Sequence, residues 1–177
     1  MLEIRKATEA EIAQVAAIYD HIHSQEECSR ACIGWVRGVY PTEQTAREAF
    51  QADDLFVLTD ENQVCAAARI NQVQVPVYAD ARWSEPEAAP EQVMVLHTLV
   101  VEPACAGKGY GTTFVHFYEQ YALEHGCPYL RMDTNEKNQA ARRLYARLGY
   151  READIVPCKF NGIAGVQLVC LEKTLQQ

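Results

Sequence analysis

Three glycines occupy alternate positions in the segment from Pro103 to Gly111, which reads PACAGKGYG. Because glycine has no Cβ, Gly107 and Gly109 let the backbone turn tightly and approach a bound molecule closely. The free N–H groups of such a turn, together with the positive end of the dipole of the helix that follows it, form a concave site for a phosphate or pyrophosphate. The segment therefore predicts an anionic ligand.

A second pair of candidate residues lies in a helix further along the chain. Asn138 and Tyr145 are seven residues apart, which corresponds to two helical turns, so both side chains fall on one face of that helix. If one of the two is directed at a ligand, the other is too. The spacing predicts that this helix adds polar side chains to the site that the glycine turn begins.

A strand–helix–strand–helix unit positions these residues. Val93–Val101 reads VMVLHTLVV, a run typical of a strand that is covered on both faces, and we expect it to be the central strand. The helix after the glycine turn carries an aromatic stripe that starts at Tyr110, and it ends near Gly126. A strand at Pro128–Asp133 and a helix at Asn138–Leu148 complete the unit.

The rest of the chain adds strands on both sides of this unit and helices before it. No repeat or low-complexity segment divides the sequence, so one domain over residues 1–177 with a mixed sheet is expected. Thr8 and Glu11 have the spacing of a capping box at the start of a helix. The other predicted elements are a strand at Leu2–Lys6, a helix from Thr42, a hairpin of Leu55–Thr59 and Val64–Ile70, a surface loop at Asp80–Gln92, and strands at Tyr150–Lys159 and Val166–Lys173.

Two nucleotide-binding motifs can be compared with this unit. No GxxxxGK[ST] segment occurs in the chain, which excludes a P-loop. A dinucleotide-binding βαβ unit fits in outline, because Asp133 ends the second strand, where such folds hold a ribose. The glycines of a dinucleotide-binding unit follow the pattern GxGxxG, whereas the turn in this chain follows GxGxG. A dinucleotide-binding oxidoreductase is therefore the less favoured alternative.

The residues Asn138, Ala141, Leu144 and Tyr145 fit the pattern NxxAxxLY, and VLHTLVVEPACAGKGYG precedes them. Together the two segments resemble the GCN5-related N-acetyltransferase (GNAT) superfamily. The resemblance implies an α/β fold of three layers, in which a mixed, mostly antiparallel central sheet of about six to seven strands is flanked by helices. It also implies acetyl-CoA as co-substrate, bound where two neighbouring strands splay apart.

The resemblance assigns residues to the acetyl-CoA site. The backbone of the central strand pairs with the pantetheine arm as an added strand would, and the glycine turn holds the pyrophosphate. Ala106 stands where the superfamily prefers Arg or Gln, so the backbone supplies the cradle there and Lys108 is available to compensate. The residues implied to bind the co-substrate are Leu99, Val100, Val101, Ala106, Gly107, Lys108, Gly109, Tyr110, Gly111, Thr112, Asn138 and Tyr145.

The implied reaction is transfer of acetyl to a primary amine by direct attack in a ternary complex. Tyr145 is then the general acid that protonates the departing thiolate. His97 has the strand parity of Leu99 and Val101, which places it beside the pantetheine arm as a candidate general base, with a satisfied core histidine as the alternative. The N–H of Leu99 is the expected oxyanion donor. Weaker base candidates are Glu102 and Glu91.

Charge and cysteine content restrict the partners. Sixteen basic and 24 acidic residues give a net charge of −8, so a nucleic-acid partner is not expected. Without an apolar leader or a long apolar run, a cytoplasmic protein without membrane contact is expected, and a homodimer would be usual for relatives of this size. The seven cysteines include no CxxC pair, so we expect reduced thiols, no metal site and no acyl-cysteine route through Cys65 or Cys105.

The acceptor is left open among a small amine, an amino acid, an aminoglycoside-like compound and a protein amine. The acidic side chains of the surface loop, Asp80, Glu85, Glu87 and Glu91, favour a cationic amine at its entrance. The aromatic side chains available as walls are Trp35, Tyr40, Tyr78, Trp83 and Phe160. An acyl-CoA sensor without turnover is the alternative of another class, although it would need the cradle and not Tyr145.

Overall fold

The computed structural model describes residues 1–176, and Gln177, the last residue of the expected domain, lies outside the described residues. Within residues 1–176 the chain forms a single sheet and four α-helices, with short 3-10 turns in the connections. The strands are β1 Glu3–Lys6, β2 Leu55–Asp60, β3 Gln63–Asn71, β4 Val93–Val101, β5 Tyr129–Asn135, β6 Arg151–Phe160 and β7 Ile163–Thr174. The helices are α1 Ile12–Glu27, α2 Glu43–Gln51, α3 Tyr110–Glu124 and α4 Gln139–Arg147.

The sheet has the strand order β1-β2-β3-β4-β5-β7-β6, with β4 in the middle. Strands β4 and β5 are parallel and all other neighbours are antiparallel. The expected mixed, mostly antiparallel sheet is confirmed. A dinucleotide-binding domain needs a mostly parallel sheet, so that alternative does not fit this topology.

Helices cover both faces of the sheet and produce three layers. Helices α1 and α2 bury Ile12, Val15 and Ala46 against Val57 and Val100 on one face. Helices α3 and α4 pack on the opposite face through an aromatic stripe, as the helical spacing predicts. The side chains of that stripe are Tyr110, Phe114, Phe117, Tyr118 and Tyr121.

Local capping fixes where the helices begin. Thr42 starts α2 with a capping box that it forms with Thr45. Thr8 and Glu11 form the predicted capping box, but it opens a 3-10 turn at Glu9–Glu11 and α1 starts only after that turn. Asn138 caps α4, because its Oδ1 accepts a hydrogen bond from the N–H of Ala141 at 3.1 Å.

Strands β4 and β5 pair over only part of their length. Their register runs from Val93 opposite Tyr129 to Leu96 opposite Met132, and beyond that point the two strands separate. The hydroxyl of Tyr118 lies just before the separation, 2.6 Å from the carbonyl oxygen of Met94 on β4. The splay that the family resemblance implies is therefore present.

A bulge in β4 lies at the same level. The register between β3 and β4 shifts there, and Thr98 has a positive φ of 53°. Before the bulge, Val93 and Val95 face the α1 side of the sheet, whereas Leu99 and Val101 pack against the core on the α3 side. The extra residue reverses the alternation, so His97 does not share the face of Leu99 and Val101. The predicted strand parity of His97 was wrong.

The long connection between β3 and β4 closes the sheet on the α1 side, beyond the two helices. Trp83 is buried there, and the guanidinium of Arg131 from β5 lies 4.4 Å from the centre of its ring. Tyr78 is buried beside Trp83, with the ring centres 5.1 Å apart. No helix within residues 1–176 combines the length and apolar composition that crossing a membrane requires.

Candidate active site

A cavity of about 480 Å³, here called the gap cavity, fills the space where β4 and β5 separate. One wall is the end of β4, Leu99–Val101. The opposite wall is the end of β5, Asp133–Asn135, continued by Asn138 and Tyr145. The predicted strand, turn and helix therefore meet around one space.

The β4 wall presents backbone groups to this space. The N–H of Glu102 donates to the carbonyl oxygen of Cys65 on β3 at 2.8 Å. Successive residues of a strand direct their backbone N–H and C=O groups to alternate sides. The backbone groups of Val101, and those of Leu99 two residues before it, therefore point away from β3 and into the gap. An extended arm that carries amide groups can pair with them as a strand would.

The glycine turn closes one end of the β4 wall. None of the six backbone N–H groups from Gly107 to Thr112 has an acceptor within residues 1–176. Gly107 and Gly109 have φ values of 80° and 78°, where an L side chain is strained. At Gly111 a Cβ would lie 3.4 Å from the side chain of Leu144, so the third glycine lets α3 pack closely on α4. The turn fits a pyrophosphate.

The three non-glycine side chains of the turn differ in whether they are free to meet a ligand. Tyr110 turns inward, and its hydroxyl donates to Asp60 at 2.6 Å. Lys108 is exposed, with its Nζ 5.8 Å from the centre of the Tyr110 ring, and Ala106 lines the gap cavity. The turn itself therefore positions backbone N–H groups for an anion, and compensation by Lys108 for the unusual Ala106 stays a prediction.

The α4 wall brings together the two predicted residues. Asn138 and Tyr145 both line the gap cavity. The Oδ1 of Asn138 caps the helix, so its Nδ2 group is the part that is free to meet a ligand. The hydroxyl of Tyr145 has no hydrogen-bond partner within residues 1–176, and burial raises its pKa, so it is a protonated donor directed at the cavity. Arg142 is held by Glu152 at 2.7 Å and does not line the cavity.

A second cavity of about 330 Å³, here called the adjoining cavity, lies on the α1 side. It shares one set of residues with the gap cavity, so the two spaces meet. That set consists of Tyr40, Thr98, Asp133, Phe160 and Asn161. The bulge at Thr98 and the end of β5 therefore form the junction, and Tyr40 donates to or accepts from the Thr98 hydroxyl there.

Asp133 supplies the only carboxylate at the junction among the described residues. It is half-buried, and the hydroxyl of Tyr78 donates to its Oδ2 at 2.6 Å. Burial raises the pKa of Asp133 to about 6, with the Tyr78 hydrogen bond acting in the opposite direction. Sequence reasoning considered Asp133 only as a ribose ligand. The available signal was an acidic residue at the carboxyl end of a strand next to the splay.

His97 lines the adjoining cavity and not the gap cavity. Its Nε2 lies 2.7 Å from Oδ1 of Asn71, which also accepts the N–H of Val73. With the amide oriented in this way, Nε2 carries the proton. Burial and the neighbouring charge of Arg69 lower the pKa of His97 to about 4, so the ring is neutral at pH 7. Its role as general base stays a prediction, without the strand-parity argument.

The other predicted side chains lie elsewhere. Glu102 accepts from Ala104 at 3.2 Å and lies 2.8 Å from Nδ1 of His21. Glu91 is exposed on the surface. The buried thiols of Cys65 and Cys105 lie 3.4 Å apart, and burial raises the pKa of Cys65 to about 11. Neither thiol lines a cavity, which argues against an acyl-cysteine route.

Three of the five predicted aromatic walls line the cavities, and two do not. Trp35, Tyr40 and Phe160 do so, whereas Tyr78 and Trp83 pack under the long connection. The prediction that acidic residues of the long connection form the entrance is also wrong. Val73 and Val75 at the start of that connection line the adjoining cavity, but none of its four acidic residues lines either cavity. Within residues 1–176, no group of three or more His, Cys, Asp or Glu is placed to hold a metal ion.

A family model described as the acetyltransferase (GNAT) family matches residues 16–150. The chain belongs to this acetyltransferase family. A GNAT-family acetyltransferase from Streptococcus agalactiae has a TM-score of 0.75 at 19% identity, over 99% of this chain and 96% of that one. The yncA protein from Salmonella typhimurium, solved with its cofactor acetyl-CoA, has a TM-score of 0.70 at 18% identity, over 100% of this chain and 95% of that one. Both proteins share the fold of this chain.

Sequence similarity to a curated relative is confined to part of each chain. An uncharacterised N-acetyltransferase of Methanocaldococcus jannaschii is 34% identical over 61 residues. The matched segment is 34% of this chain and 39% of that protein. The GNAT family is therefore shown by the family model, and the acceptor has to be inferred from the site itself.

Proposed function

We propose that this GNAT-family protein transfers acetyl from acetyl-CoA to a primary amine by direct attack in a ternary complex. The observation that carries the proposal is the junction of the two cavities. A backbone-lined gap with a free N–H turn at one end meets a second cavity at a point where a carboxylate lies, and Tyr145 lines the gap. An acyl-CoA sensor would need only the gap and the turn.

The protein binds acetyl-CoA mainly through backbone groups. The N–H groups from Gly107 to Thr112 hold the pyrophosphate at the start of α3. The polar groups of Leu99 and Val101 pair with the pantetheine arm, and Nδ2 of Asn138 adds a donor from the opposite wall. This arrangement carries the thioester along β4 towards the junction with the adjoining cavity.

Asp133 at the junction and Tyr145 in the gap cavity then move the protons. Asp133 is ionised above a pH of about 6 and accepts a proton from the ammonium group of the acceptor. The neutral nitrogen forms a bond to the thioester carbon, and the N–H of Leu99 stabilises the oxyanion. As the carbon–sulfur bond breaks, Tyr145 donates its proton to the thiolate and regains one from the amide nitrogen. The products are the acetylated amine, CoA and one released proton.

Calorimetric titration with acetyl-CoA, with CoA and NADH as controls in the same buffer, is the first test. The expected result is binding of acetyl-CoA and of CoA, and none of NADH. A panel of amines is then assayed for thiol release. If acetyl-CoA binds and no amine releases thiol, the protein is a sensor. If only NADH binds, the oxidoreductase alternative replaces the proposal.

A further inference from the structure

Among the described residues that line the adjoining cavity, Arg69 on β3 is the one side chain that is positively charged at pH 7, since His97 is neutral there. Arg69 is the cross-strand partner of His97. Its Nε and Nη2 atoms each lie 3.1 Å from Oδ2 of Asp54. Asn71 donates to the same oxygen at 2.9 Å, so Asp54 fixes one edge of the guanidinium. Asp54 itself does not line the cavity.

The other edge of this guanidinium is available. Nη1 of Arg69 has no hydrogen-bond partner within residues 1–176, and the side chain is 34% exposed. A guanidinium that is fixed along one edge presents its remaining donors as a planar fork, the geometry that suits a carboxylate. Nη1 of Arg69 is therefore a positioned donor for an anionic group in the adjoining cavity, through which the acceptor reaches the thioester.

Asp133 and Arg69 are both close enough to Tyr40 for their charges to act on its hydroxyl. Burial raises the pKa of Tyr40 to about 12, and the negative charge of Asp133 and the positive charge of Arg69 act on this hydroxyl in opposite directions. Both charged residues and Tyr40 line the adjoining cavity. A molecule in this cavity thus meets a carboxylate at the junction with the thioester and a guanidinium further along its wall.

We propose that the acceptor is a small amine that also carries a carboxylate, as an amino acid does, with its ammonium group at Asp133 and its carboxylate on Arg69. The inference rests on the proposed acetyl transfer and names the acceptor class of that site. A volume of about 330 Å³ suits a small molecule. Glu48 is the other acidic residue that lines the cavity, and it is exposed, so solvent screens its repulsion of an anion.

The test compares matched pairs of acceptors, each an amino acid and the amine that lacks only its carboxylate. Phenylalanine with phenethylamine, histidine with histamine, and methionine with 3-(methylthio)propylamine are suitable, together with the methyl ester of each amino acid. We expect kcat/KM to be about 10- to 100-fold higher for an acid than for its amine or ester. This panel needs only the wild-type protein.

The variant Arg69→Gln assigns the preference to the guanidinium. It is expected to raise KM for the amino acids about 10- to 100-fold and to leave kcat/KM of the amines within about twofold. Arg69→Lys keeps the charge without the fork and is expected to lie between the two. Arg82→Gln is the matched control, because Arg82 is exposed and pairs with Asp154 away from the cavities.

Each outcome decides between the two proposals. If the amines or esters are acetylated as well as the acids, acetyl transfer stands and the carboxylate site is overturned. An equal loss for acids and amines in Arg69→Gln assigns Arg69 a structural role and also overturns it. If acetyl-CoA binds and no compound of the panel releases thiol above background, both the carboxylate site and the proposed acetyl transfer are overturned.

Discussion

The two cavities that meet at Asp133 are built by different means. One wall of the gap cavity and its turn present backbone N–H groups and the edge of one strand, all within Leu99–Thr112, and the opposite wall adds side chains such as Asn138 and Tyr145. The adjoining cavity presents side chains from α1, α2, β3, β4, β5 and β6. A site built from backbone groups depends on chain conformation and tolerates side-chain changes, such as Ala106 in place of the usual Arg or Gln. A side-chain site depends on the identity of each residue, so single substitutions there should have the larger effects.

The largest effect is expected from Asp133→Asn, which removes the proposed proton acceptor at the junction. We expect kcat/KM for the acceptor to fall by about 10²- to 10⁴-fold while the Kd of acetyl-CoA stays unchanged. In the wild type, kcat/KM should fall as the pH drops through about 6, because Asp133 takes up a proton there. This limb of the pH profile should be missing in the variant.

Two variants make that result specific. Asp53→Asn changes an exposed carboxylate that pairs with Lys6, and it should leave turnover unchanged. His97→Gln should have a smaller effect than Asp133→Asn, since His97 lies outside the gap cavity. If His97→Gln removes the pH limb and Asp133→Asn does not, the histidine is the base.

Tyr145→Phe is expected to have the next largest effect. It removes the donor for the thiolate and should lower kcat about 10- to 100-fold, less than loss of the base because a thiolate leaves readily. Titration calorimetry should show little change in the Kd of acetyl-CoA. Tyr129→Phe, at the start of β5 and outside both cavities, is the control. Unchanged kcat and Kd in Tyr145→Phe would remove this tyrosine from the mechanism.

Gly109→Ala probes the backbone site. The alanine would have to keep a φ of 78° at a cost of about 1–2 kcal/mol, or shift the N–H groups of the turn. We expect the Kd of acetyl-CoA to rise up to about 10-fold, with the acceptor KM unaffected. Gly126→Ala is the control, because Gly126 lies at the other end of α3 with a φ of 71° and open space around the position of a Cβ. It should lower the Tm by a similar amount and leave the Kd of acetyl-CoA unchanged. A higher Kd in both variants would mean a general loss of helix packing.

The smallest effect is expected from Arg142→Gln. Its guanidinium is held by Glu152 through two hydrogen bonds of 2.7 and 2.9 Å, so it is not free to meet a phosphate. The Kd of acetyl-CoA should change less than about twofold at 0.15 M salt. A larger, salt-dependent rise in Kd would show that side-chain charge takes part in a site that we describe as backbone-built.

The comparison of the two cavities also explains which parts could be predicted. The glycine turn, Asn138 and Tyr145 lie in one stretch of sequence with fixed spacing, and the structure brings them to one space. The face of His97 was predicted wrongly, because a one-residue bulge at Thr98 reverses the alternation of a strand and leaves no mark in its apolar pattern. The entrance was predicted from acidic residues of a loop that packs beside the cavities.

The sequence by itself determined the order of strands and helices, the starts of α2, α3 and α4, and the turn whose N–H groups remain free. These features depend on local spacing, on glycine and on capping residues, which act within a few residues of each other. Only the tertiary structure decided that Asp133 and Arg69 line one cavity, and that Tyr78 donates to Asp133 without lining it. They come from separate parts of the chain, and contacts between distant segments are set by how strands pair and separate. No local pattern records that pairing.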